Sequence, residues 1–230
     1  MLSEIDESKT ETDSTIRTTG ARGILFVVSS PSGGGKGTLI RRVLNKVTNL
    51  SYSVSFTTRA PRSGEVDGRE YFFIDSQKFE EMVDAREFLE WAHVHGKLYG
   101  TAHRQVTREI SEGRDIILEV DVQGAASVRS LVEDAVSIFI LPPSFETLRE
   151  RLLARGTDSD EELALRLRNA PAELQHYSNF QYVIINDDLD QAAEQLASIV
   201  CAERARLTRQ EPRVRQRVEA FTAKELDESN

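Results

Sequence analysis

Short apolar segments alternate with longer segments of helical periodicity along most of the chain. Four apolar segments have the length and composition of buried strands, and they lie at residues 24–29, 115–121, 136–141 and 182–186. Apolar positions recur every three or four residues in four further segments, at residues 39–47, 123–132, 145–155 and 189–207. Strands that are apolar on both faces and alternate with helices are typical of a parallel sheet covered on both sides. The pattern therefore predicts an α/β fold with a parallel sheet flanked by helices.

Two segments interrupt this alternation. Residues 52–104 contain Asp67-Gly68, a pair that favours a tight hairpin turn, and this predicts a small mixed α/β insert. Residues 145–177 contain two charged helical segments, in which Gly156 can end the first helix and Ser159 can cap the second. Charged helices with few apolar positions, attached to a rigid sheet, predict a movable lid. The predicted core consists of residues 23–51, 105–144 and 178–207.

The composition fits one domain with inserts. A chain of 230 residues with 39% hydrophobic positions is long enough to bury a sizeable core. No run of 18 apolar residues is present, so no membrane-spanning helix is predicted. Residues 1–22 are acidic and rich in Ser and Thr, which predicts a disordered extension rather than a secretory signal. The single cysteine, Cys201, cannot form an internal disulfide, and we therefore expect a cytoplasmic location.

Charge is unevenly distributed along the chain. The net charge of −9 argues against a general nucleic-acid binder, and no obligatory nucleic-acid partner is expected. Residues 204–217 are an exception, with six arginines and one glutamate. We interpret residues 208–230 as a charged C-terminal extension with a solvated helix, and a contact for a partner or for RNA is the alternative. Formation of homo-oligomers is left open.

A glycine-rich segment, SSPSGGGKGTL, follows directly on the first predicted strand and precedes a helix. Glycines allow backbone N–H groups to surround an anion, and the helix that follows adds the positive end of its dipole. The segment resembles the phosphate loop G-x-x-x-x-G-K-[ST], with Ser30 at the first glycine position and Gly37 between Lys36 and Thr38. It predicts a nucleotide phosphate site formed by Ser30, Pro31, Ser32, Gly33, Gly34, Gly35, Lys36, Gly37 and Thr38.

A second anion site is indicated within the insert. Arg59 and Arg62 lie three residues apart around Pro61, so that a rigid turn could direct both guanidinium groups at one phosphate. On its own such a pair is more often ordinary surface charge. Its occurrence beside a phosphate loop favours a second phosphorylated substrate.

Longer stretches of the chain resemble the guanylate kinase family of bacterial type, whose members convert GMP and ATP to GDP and ADP. The matching stretches are SSPSGGGKGTL, SVSFTTRAPRSGEVDGREYFF, FLEWAHVHGKLYGT, LEVDVQGA, FILPPS, RLLARGTDSDEELALRL and VIINDDLD. The resemblance covers the chain from about residue 24 to residue 207, which is nearly everything except the two tails. The resemblance implies a P-loop NTPase-type sheet, ATP and GMP as substrates, Mg²⁺ as the cofactor that accompanies ATP, and a role in purine nucleotide metabolism. It also makes dGMP an expected acceptor.

The resemblance assigns the acceptor site residue by residue. Arg59, Arg62, Tyr71 and Tyr99 are expected to hold the GMP phosphate. Those expected near guanine are Ser55, Glu90, Thr101 and Asp121. Glu90 has a chemical reason for this role, because guanine presents N1–H and a 2-amino group side by side, and these two donors match the two oxygens of a carboxylate. Adenine presents an acceptor at N1, which the same carboxylate repels.

The resemblance also implies residues for the donor side and for catalysis. Lys36, Arg151, Arg155 and Arg166 are expected to neutralise the transferred phosphate. Asn186 is expected near the adenine of ATP, and a capping or turn role is an equally good interpretation of its sequence position.

Two positions near the predicted metal site depart from the expected pattern. Gly37 lacks the hydroxyl that often contacts Mg²⁺, and Glu119 stands where the family usually has aspartate. Magnesium keeps several water ligands in most protein sites. Thr38 and Glu119 are therefore expected as outer-shell partners of Mg²⁺.

The implied reaction requires no general base. The second pKa of a phosphate monoester lies near 6, so the attacking oxygen of GMP is already ionised at pH 7. Two other functions remain possible at this point: a peptide-binding scaffold of the same fold without catalysis, and a kinase for a phosphorylated sugar. The phosphate loop argues against the first, and the guanine-directed residues argue against the second.

Overall fold

The computed structural model describes residues 22–156 and 159–227, except for the side chains of Arg155 and residues 223–227. The predicted extension at residues 1–22 therefore lies, apart from Arg22, outside the described residues. The strands are β1 (Leu25–Ser29), β2 (Leu50–Tyr52), β3 (Phe56–Thr57), β4 (Phe72–Phe73), β5 (Phe88–Val94), β6 (Lys97–Ala102), β7 (Asp115–Glu119), β8 (Val136–Leu141) and β9 (Tyr182–Ile185). The α-helices are α1 (Lys36–Leu44), α2 (Ser76–Asp84), α3 (His103–Ser111), α4 (Val122–Leu131), α5 (Phe145–Arg155), α6 (Asp160–Leu174), α7 (Leu189–Arg204) and α8 (Leu207–Asp227), and a 3₁₀-helix spans Gln175–Asn179.

The central sheet has five parallel strands in the order β2-β7-β1-β8-β9. Successive side chains of the buried strand β1 enter different apolar layers, because strand side chains alternate between the two faces. Phe26 and Val28 pack in the layer covered by α1 and α7. Leu25 and Val27 pack in the layer covered by α3 and α4. The predicted α/β fold with a parallel sheet flanked by helices is confirmed.

The four predicted strands correspond to β1, β7, β8 and β9, with small differences at their ends. β7 ends at Glu119 instead of residue 121, because the Asp121 side chain accepts a hydrogen bond from Gly124 N (2.9 Å) and caps α4. The helix predicted at residues 189–207 ends at Arg204, and α8 is a separate helix. β2 was not predicted, since its three residues are only half-buried and lack a continuous apolar run.

The insert contains a four-stranded mixed sheet in the order β4-β3-β6-β5. The hairpin predicted at Asp67-Gly68 is wrong. Gly68 is in a left-handed conformation (φ 77), but β4, which follows this turn, pairs in parallel with β3. The hairpin of the insert joins β5 to β6 through His95 (φ 49) and Gly96 (φ 80). Two consecutive residues with positive φ form the two-residue turn that matches the twist of an antiparallel pair.

Helices α5 and α6 form the segment that we call the lid. The predicted caps are confirmed: Gly156 ends α5 in a left-handed conformation, and Ser159 caps α6 in a reciprocal capping box with Glu162. Leu148 and Leu152 of α5 pack with Ala170 of α6 in a small apolar cluster separate from the two layers of the sheet. The lid is therefore held together by its own contacts, and its movement stays a prediction.

The end of the last core helix is tied to the sheet by a buried carboxylate. Asp115, at the start of β7, accepts hydrogen bonds from Ile24 N (2.7 Å) and from Arg204 Nε (2.7 Å). Arg204 Nη2 also donates to the carbonyl oxygen of Thr48 (2.8 Å). α8 follows this point and exposes apolar side chains, among them Leu207 and Phe221. No helix in the described ranges has the length and apolar content needed to span a membrane.

Candidate active site

One cavity lies between the glycine-rich loop at residues 30–37, called the glycine loop below, the insert and the lid. The predicted site residues that line it are Ser30, Pro31, Ser32, Gly33, Gly34, Gly35, Lys36, Ser55, Arg59, Arg62, Tyr71, Glu90, Tyr99, Glu119, Asp121 and Arg166. The predicted site residues that do not line it are Gly37, Thr38, Thr101, Arg151 and Asn186. Arg155 belongs to α5, but its side chain lies outside the described part of the chain. The fold thus brings most of the predicted donor and acceptor residues to one place.

The glycine loop runs from the end of β1 to the start of α1. Gly33 and Gly35 have φ values of 86 and 89, which other residues rarely adopt. A Cβ at Gly34 would lie 2.6 Å from Ser30 Oγ, so the close approach within the loop requires glycine there as well. Lys36 Nζ donates to Ser30 O (3.2 Å) and Ser30 Oγ (3.1 Å), and this places its ammonium group over the loop. Such a loop at a helix N-terminus is suited to bind phosphate.

Two predicted donor-side residues contact the loop backbone from outside the cavity. Asn186 Nδ2 donates to Gly34 O (3.0 Å), and Arg151 Nη2 donates to Asn186 O (3.0 Å). A Cβ at Gly35 would lie only 2.5 Å from Asn186 Nδ2. The alternative capping role of Asn186 is wrong, because the N-cap of α7 is Asp188. Asn186 and Arg151 therefore hold the loop in place, and their contacts with ATP stay predictions.

The two arginines of the predicted acceptor site are organised by Glu65. Arg59 Nη2 forms an ion pair with Glu65 Oε1 (2.9 Å), and Arg62 N donates to Glu65 Oε2 (2.8 Å). Burial tends to raise the pKa of Glu65, but the hydrogen bonds from Arg59 and Arg62 outweigh it and hold the pKa below its usual range. The Arg59 guanidinium also lies 5.4 Å from the centre of the Tyr71 ring. Its position is thus fixed from two sides.

Tyr71 and Tyr99 face each other beside these arginines. Their ring centroids are 5.8 Å apart in an edge-to-face arrangement. Burial, and then the negative charge of Glu119, raise the pKa of the Tyr71 hydroxyl above its usual range. Tyr71 therefore stays protonated at neutral pH and can donate a hydrogen bond to an anion.

Glu90 lies in the inner part of the insert, on β5, and is 7% exposed. Thr101 Oγ1 on the neighbouring strand β6 donates to Glu90 Oε1 (2.6 Å). Burial, and then the charge of Asp121, raise the pKa of Glu90 to about 7. Ser55 and Asp121 line the same cavity. Thr101 is buried and acts on Glu90, so it supports the predicted guanine-binding carboxylate from behind.

Glu119 is the described residue that fits a metal role best. Its carboxylate lies at the end of β7, where Oε2 accepts a hydrogen bond from Tyr52 Oη (3.2 Å). A Cβ at Gly37 would lie 3.3 Å from Glu119 Oε2, so the carboxylate occupies the space beside the glycine loop. Thr38 is exposed and does not line the cavity, which argues against its predicted metal role. Within the described ranges, no group of three or more His, Cys, Asp and Glu side chains could hold a metal ion.

Ser32 is the point where the loop, the lid and the insert meet, and two of its partners were missed in the sequence. Glu173 of α6 accepts a hydrogen bond from Ser32 N (3.0 Å), and Arg166 Nη1 donates to Ser32 Oγ (3.3 Å). His95 Nε2, from the turn of the insert, is 3.3 Å from Ser32 Oγ. Glu173 follows Arg166 by seven residues on one helix, a spacing that places both on one face. This spacing could have identified Glu173.

The family follows from comparison of the sequence with family models. The model described as Guanylate kinase matches residues 22–203. This chain belongs to the guanylate kinase family. The resemblance inferred from the motifs is confirmed.

Several curated guanylate kinases match most of the chain. The guanylate kinase of Caldanaerobacter subterraneus is 46% identical over 188 residues, which is 82% of this chain and 91% of the relative. That of Dechloromonas aromatica is 49% identical over 180 residues, which is 78% of this chain and 89% of the relative. That of Thermotoga maritima is 46% identical over 193 residues, with coverages of 84% and 93%.

A solved structure agrees with these relatives. The crystal structure of guanylate kinase from Anaplasma phagocytophilum superposes with a TM-score of 0.69 and 33% sequence identity. The match covers 84% of this chain and 92% of the other. The guanylate kinase fold thus extends over the sheet, the insert and the lid, and the activity class is that of a nucleoside-monophosphate kinase.

Proposed function

We propose that the guanylate kinase reaction of this chain takes place in the cavity between the glycine loop and the insert. There the γ-phosphoryl group of ATP is transferred to a phosphate oxygen of GMP, which gives ADP and GDP. The observation that supports this placement is that one cavity is lined both by Lys36 of the glycine loop and by Glu90 of the insert. One cavity with a phosphate loop at one side and a guanine-directed carboxylate at the other accommodates both substrates.

The acceptor is bound by the insert. Arg59, whose guanidinium is held by Glu65, and Arg62 bind the GMP phosphate together with the hydroxyl groups of Tyr71 and Tyr99. The carboxylate of Glu90 accepts hydrogen bonds from guanine N1–H and the 2-amino group. Its neighbours Ser55 and Asp121 complete the guanine site.

The donor is bound by the glycine loop, and the remaining task is electrostatic because two polyanions must meet. Lys36 and Arg166 supply positive charge at the transferred phosphate, and Arg151 and Arg155 add to it. Closure of the lid excludes water, which would otherwise accept the phosphoryl group. Mg²⁺ bound with ATP would offset phosphate charge, and Glu119 is the residue that would hold it through its water ligands, because Thr38 is exposed and does not line the cavity. A cytoplasmic location and independence of nucleic acid stay predictions from the sequence.

A coupled assay of ADP release tests this function. GMP, dGMP, AMP, CMP and UMP are compared as acceptors at a fixed concentration of Mg-ATP. We expect GMP to be preferred over AMP, CMP and UMP, with dGMP also accepted. A preference for AMP would contradict the role of Glu90, and an absence of ADP release with every acceptor would favour a catalytically inactive scaffold.

Binding of guanine should depend on pH through the ionisation of Glu90. Burial and the charge of Asp121 raise its pKa to about 7, and guanine donors require the ionised carboxylate. The Kd of guanosine should therefore rise about tenfold between pH 8 and pH 6, as the ionised fraction of Glu90 falls. Guanosine is used in place of GMP because it carries no phosphate that titrates in this range. Calorimetry measures the Kd, and the Glu90→Gln variant serves as the control, with weak binding that does not vary with pH. A constant Kd in the starting chain would contradict the prediction.

A further inference from the structure

The two departures of this chain from the expected metal-binding pattern lie next to each other in the structure. Gly37 stands where the phosphate-loop pattern has a serine or threonine, and Glu119 stands where the resemblance led us to expect aspartate. In sequence the two positions are far apart. In the fold, a Cβ at Gly37 would lie 3.3 Å from Glu119 Oε2 and 3.6 Å from Oε1. Both carboxylate oxygens therefore border the space that a side chain at position 37 would fill, as does Arg41 Nη2 at 3.7 Å.

We propose that Gly37 and Glu119 act as a matched pair. The glycine leaves room for the longer carboxylate, and the carboxylate takes the place of the missing hydroxyl as the protein's oxygen toward the Mg²⁺ of ATP. This inference rests on the proposed function. It replaces the expected pairing of Thr38 with Glu119, because Thr38 is exposed and does not line the cavity.

The length of the side chain at position 119 is the first part of the argument. Val28 of β1 is in register with Glu119, and β1 leads directly into the glycine loop. An aspartate on the same backbone would withdraw its carboxylate by about 1.5 Å, the length of one C–C bond. It would then leave the space beside Gly37 unfilled. A serine at position 37 with Glu119 retained would instead bring Cβ against the carboxylate, since 3.3 Å is shorter than an ordinary contact. Each substitution alone spoils the fit, and the two together restore it.

The orientation of the carboxylate is the second part of the argument. Tyr52 Oη donates a hydrogen bond to Glu119 Oε2 (3.2 Å). Tyr52 is a positioning residue, because its hydrogen bond fixes one oxygen of Glu119. Hydrogen-bond partners of this kind typically change metal affinity by about 10- to 100-fold when they are removed.

A double-mutant cycle tests the pairing through binding instead of turnover. The measured quantity is the gain in ADP affinity on addition of Mg²⁺, obtained by calorimetry with and without the metal. Gly37→Ser and Glu119→Asp should each reduce this gain about tenfold, because each disturbs the metal-facing oxygen. The variant that carries both substitutions should return to within about threefold of the starting chain. The proposal would be overturned if the double variant lost as much of the gain in ADP affinity as the product of the two single losses. It would also be overturned if neither single variant lost any of this gain.

The positioning role of Tyr52 has its own test and control. Tyr52→Phe should reduce the gain from Mg²⁺ about tenfold and leave ADP binding in the absence of Mg²⁺ unchanged. Tyr182→Phe is the matched control, because it removes the same kind of hydrogen bond, Tyr182 Oη to Glu203 Oε1 (2.6 Å), at a site outside the cavity. It should leave the gain unchanged, and an equal loss in both variants would refute the role of Tyr52. Absence of ADP binding in the starting chain would contradict the proposed function, so the two failures are distinguishable.

Discussion

Replacement of Arg166 with alanine should lower kcat by about 10³- to 10⁵-fold, the range associated with a single arginine that neutralises a transferred phosphate. Arg166 lines the cavity, and its guanidinium donates to Ser32 Oγ in the glycine loop (3.3 Å). Among the described side chains of the lid, it is the arginine that lines this cavity. Because the negative charge of that phosphate is redistributed during transfer, removal of the cation should affect kcat more than the KM of either substrate.

Steady-state kinetics at saturating ATP and GMP provides the measurement, and thermal unfolding shows whether the fold is retained. Arg168→Ala is the matched control, since Arg168 is on the same helix, carries the same charge and is exposed. It should change kcat by less than about threefold. Near-normal kcat in Arg166→Ala would remove this residue from the mechanism.

Replacement of Glu90 with glutamine should reduce kcat/KM for GMP on the order of 10⁴-fold. The amide is nearly isosteric with the carboxylate, but it offers only one acceptor oxygen and places its NH₂ group against a guanine donor. Because buried donors without partners are costly, the loss should be far larger than the loss of one hydrogen bond. The preference for GMP over AMP should fall by a similar factor.

The Glu90→Gln variant should weaken the use of GMP and at the same time stabilise the fold. The pKa of Glu90 is raised from 4.5 to about 7, so its ionisation costs stability as pH rises through this window. Glu90→Gln should therefore raise the free energy of unfolding by up to about 3 kcal/mol at pH 8 and by much less at pH 4. Denaturant unfolding at both pH values measures this change. Glu87→Gln, at an exposed position before the same strand, should alter neither acceptor preference nor stability. A Glu90→Gln variant that still prefers GMP to AMP would contradict the assignment.

The sheet could be predicted because its strands are buried on both faces. β1 and β8 are continuous apolar runs, and such runs identify core strands without any knowledge of their partners. β2 could not be predicted this way, since it is an edge strand of three half-buried residues whose conformation depends on pairing with β7. The turn at Asp67-Gly68 shows the same limit. Its left-handed glycine was predictable, but the parallel pairing of the next strand depends on contacts across the insert.

Those parts of the site whose functional residues lie within one short segment could be predicted from the sequence. The glycine loop is such a segment, and Lys36 and Ser30 lie in the cavity as the sequence indicated. His95 was not found, because it reaches Ser32 from a turn 63 residues away and belongs to no compact motif. Glu173 was missed because it lies 141 residues from Ser32, and its seven-residue spacing from Arg166 was the one available signal. The contact between Gly37 and Glu119 was also invisible in the sequence. Each position appeared there only as a separate departure from a pattern.

The ion pair of Asp115 with Arg204 shows that the folded core extends beyond the segment that matches the family model. The family match stops at residue 203, one position before the arginine that neutralises this buried carboxylate. A chain that ends at residue 203 would keep Asp115 and lose Arg204. This would lower the free energy of unfolding by an amount on the order of 3 kcal/mol. The neighbouring buried carboxylate, Glu203, pairs with Arg206 and Arg209, so a cut that keeps both buried acids paired has to follow Arg209. The ion pairs that the folded core needs therefore extend beyond the segment that is similar to the family.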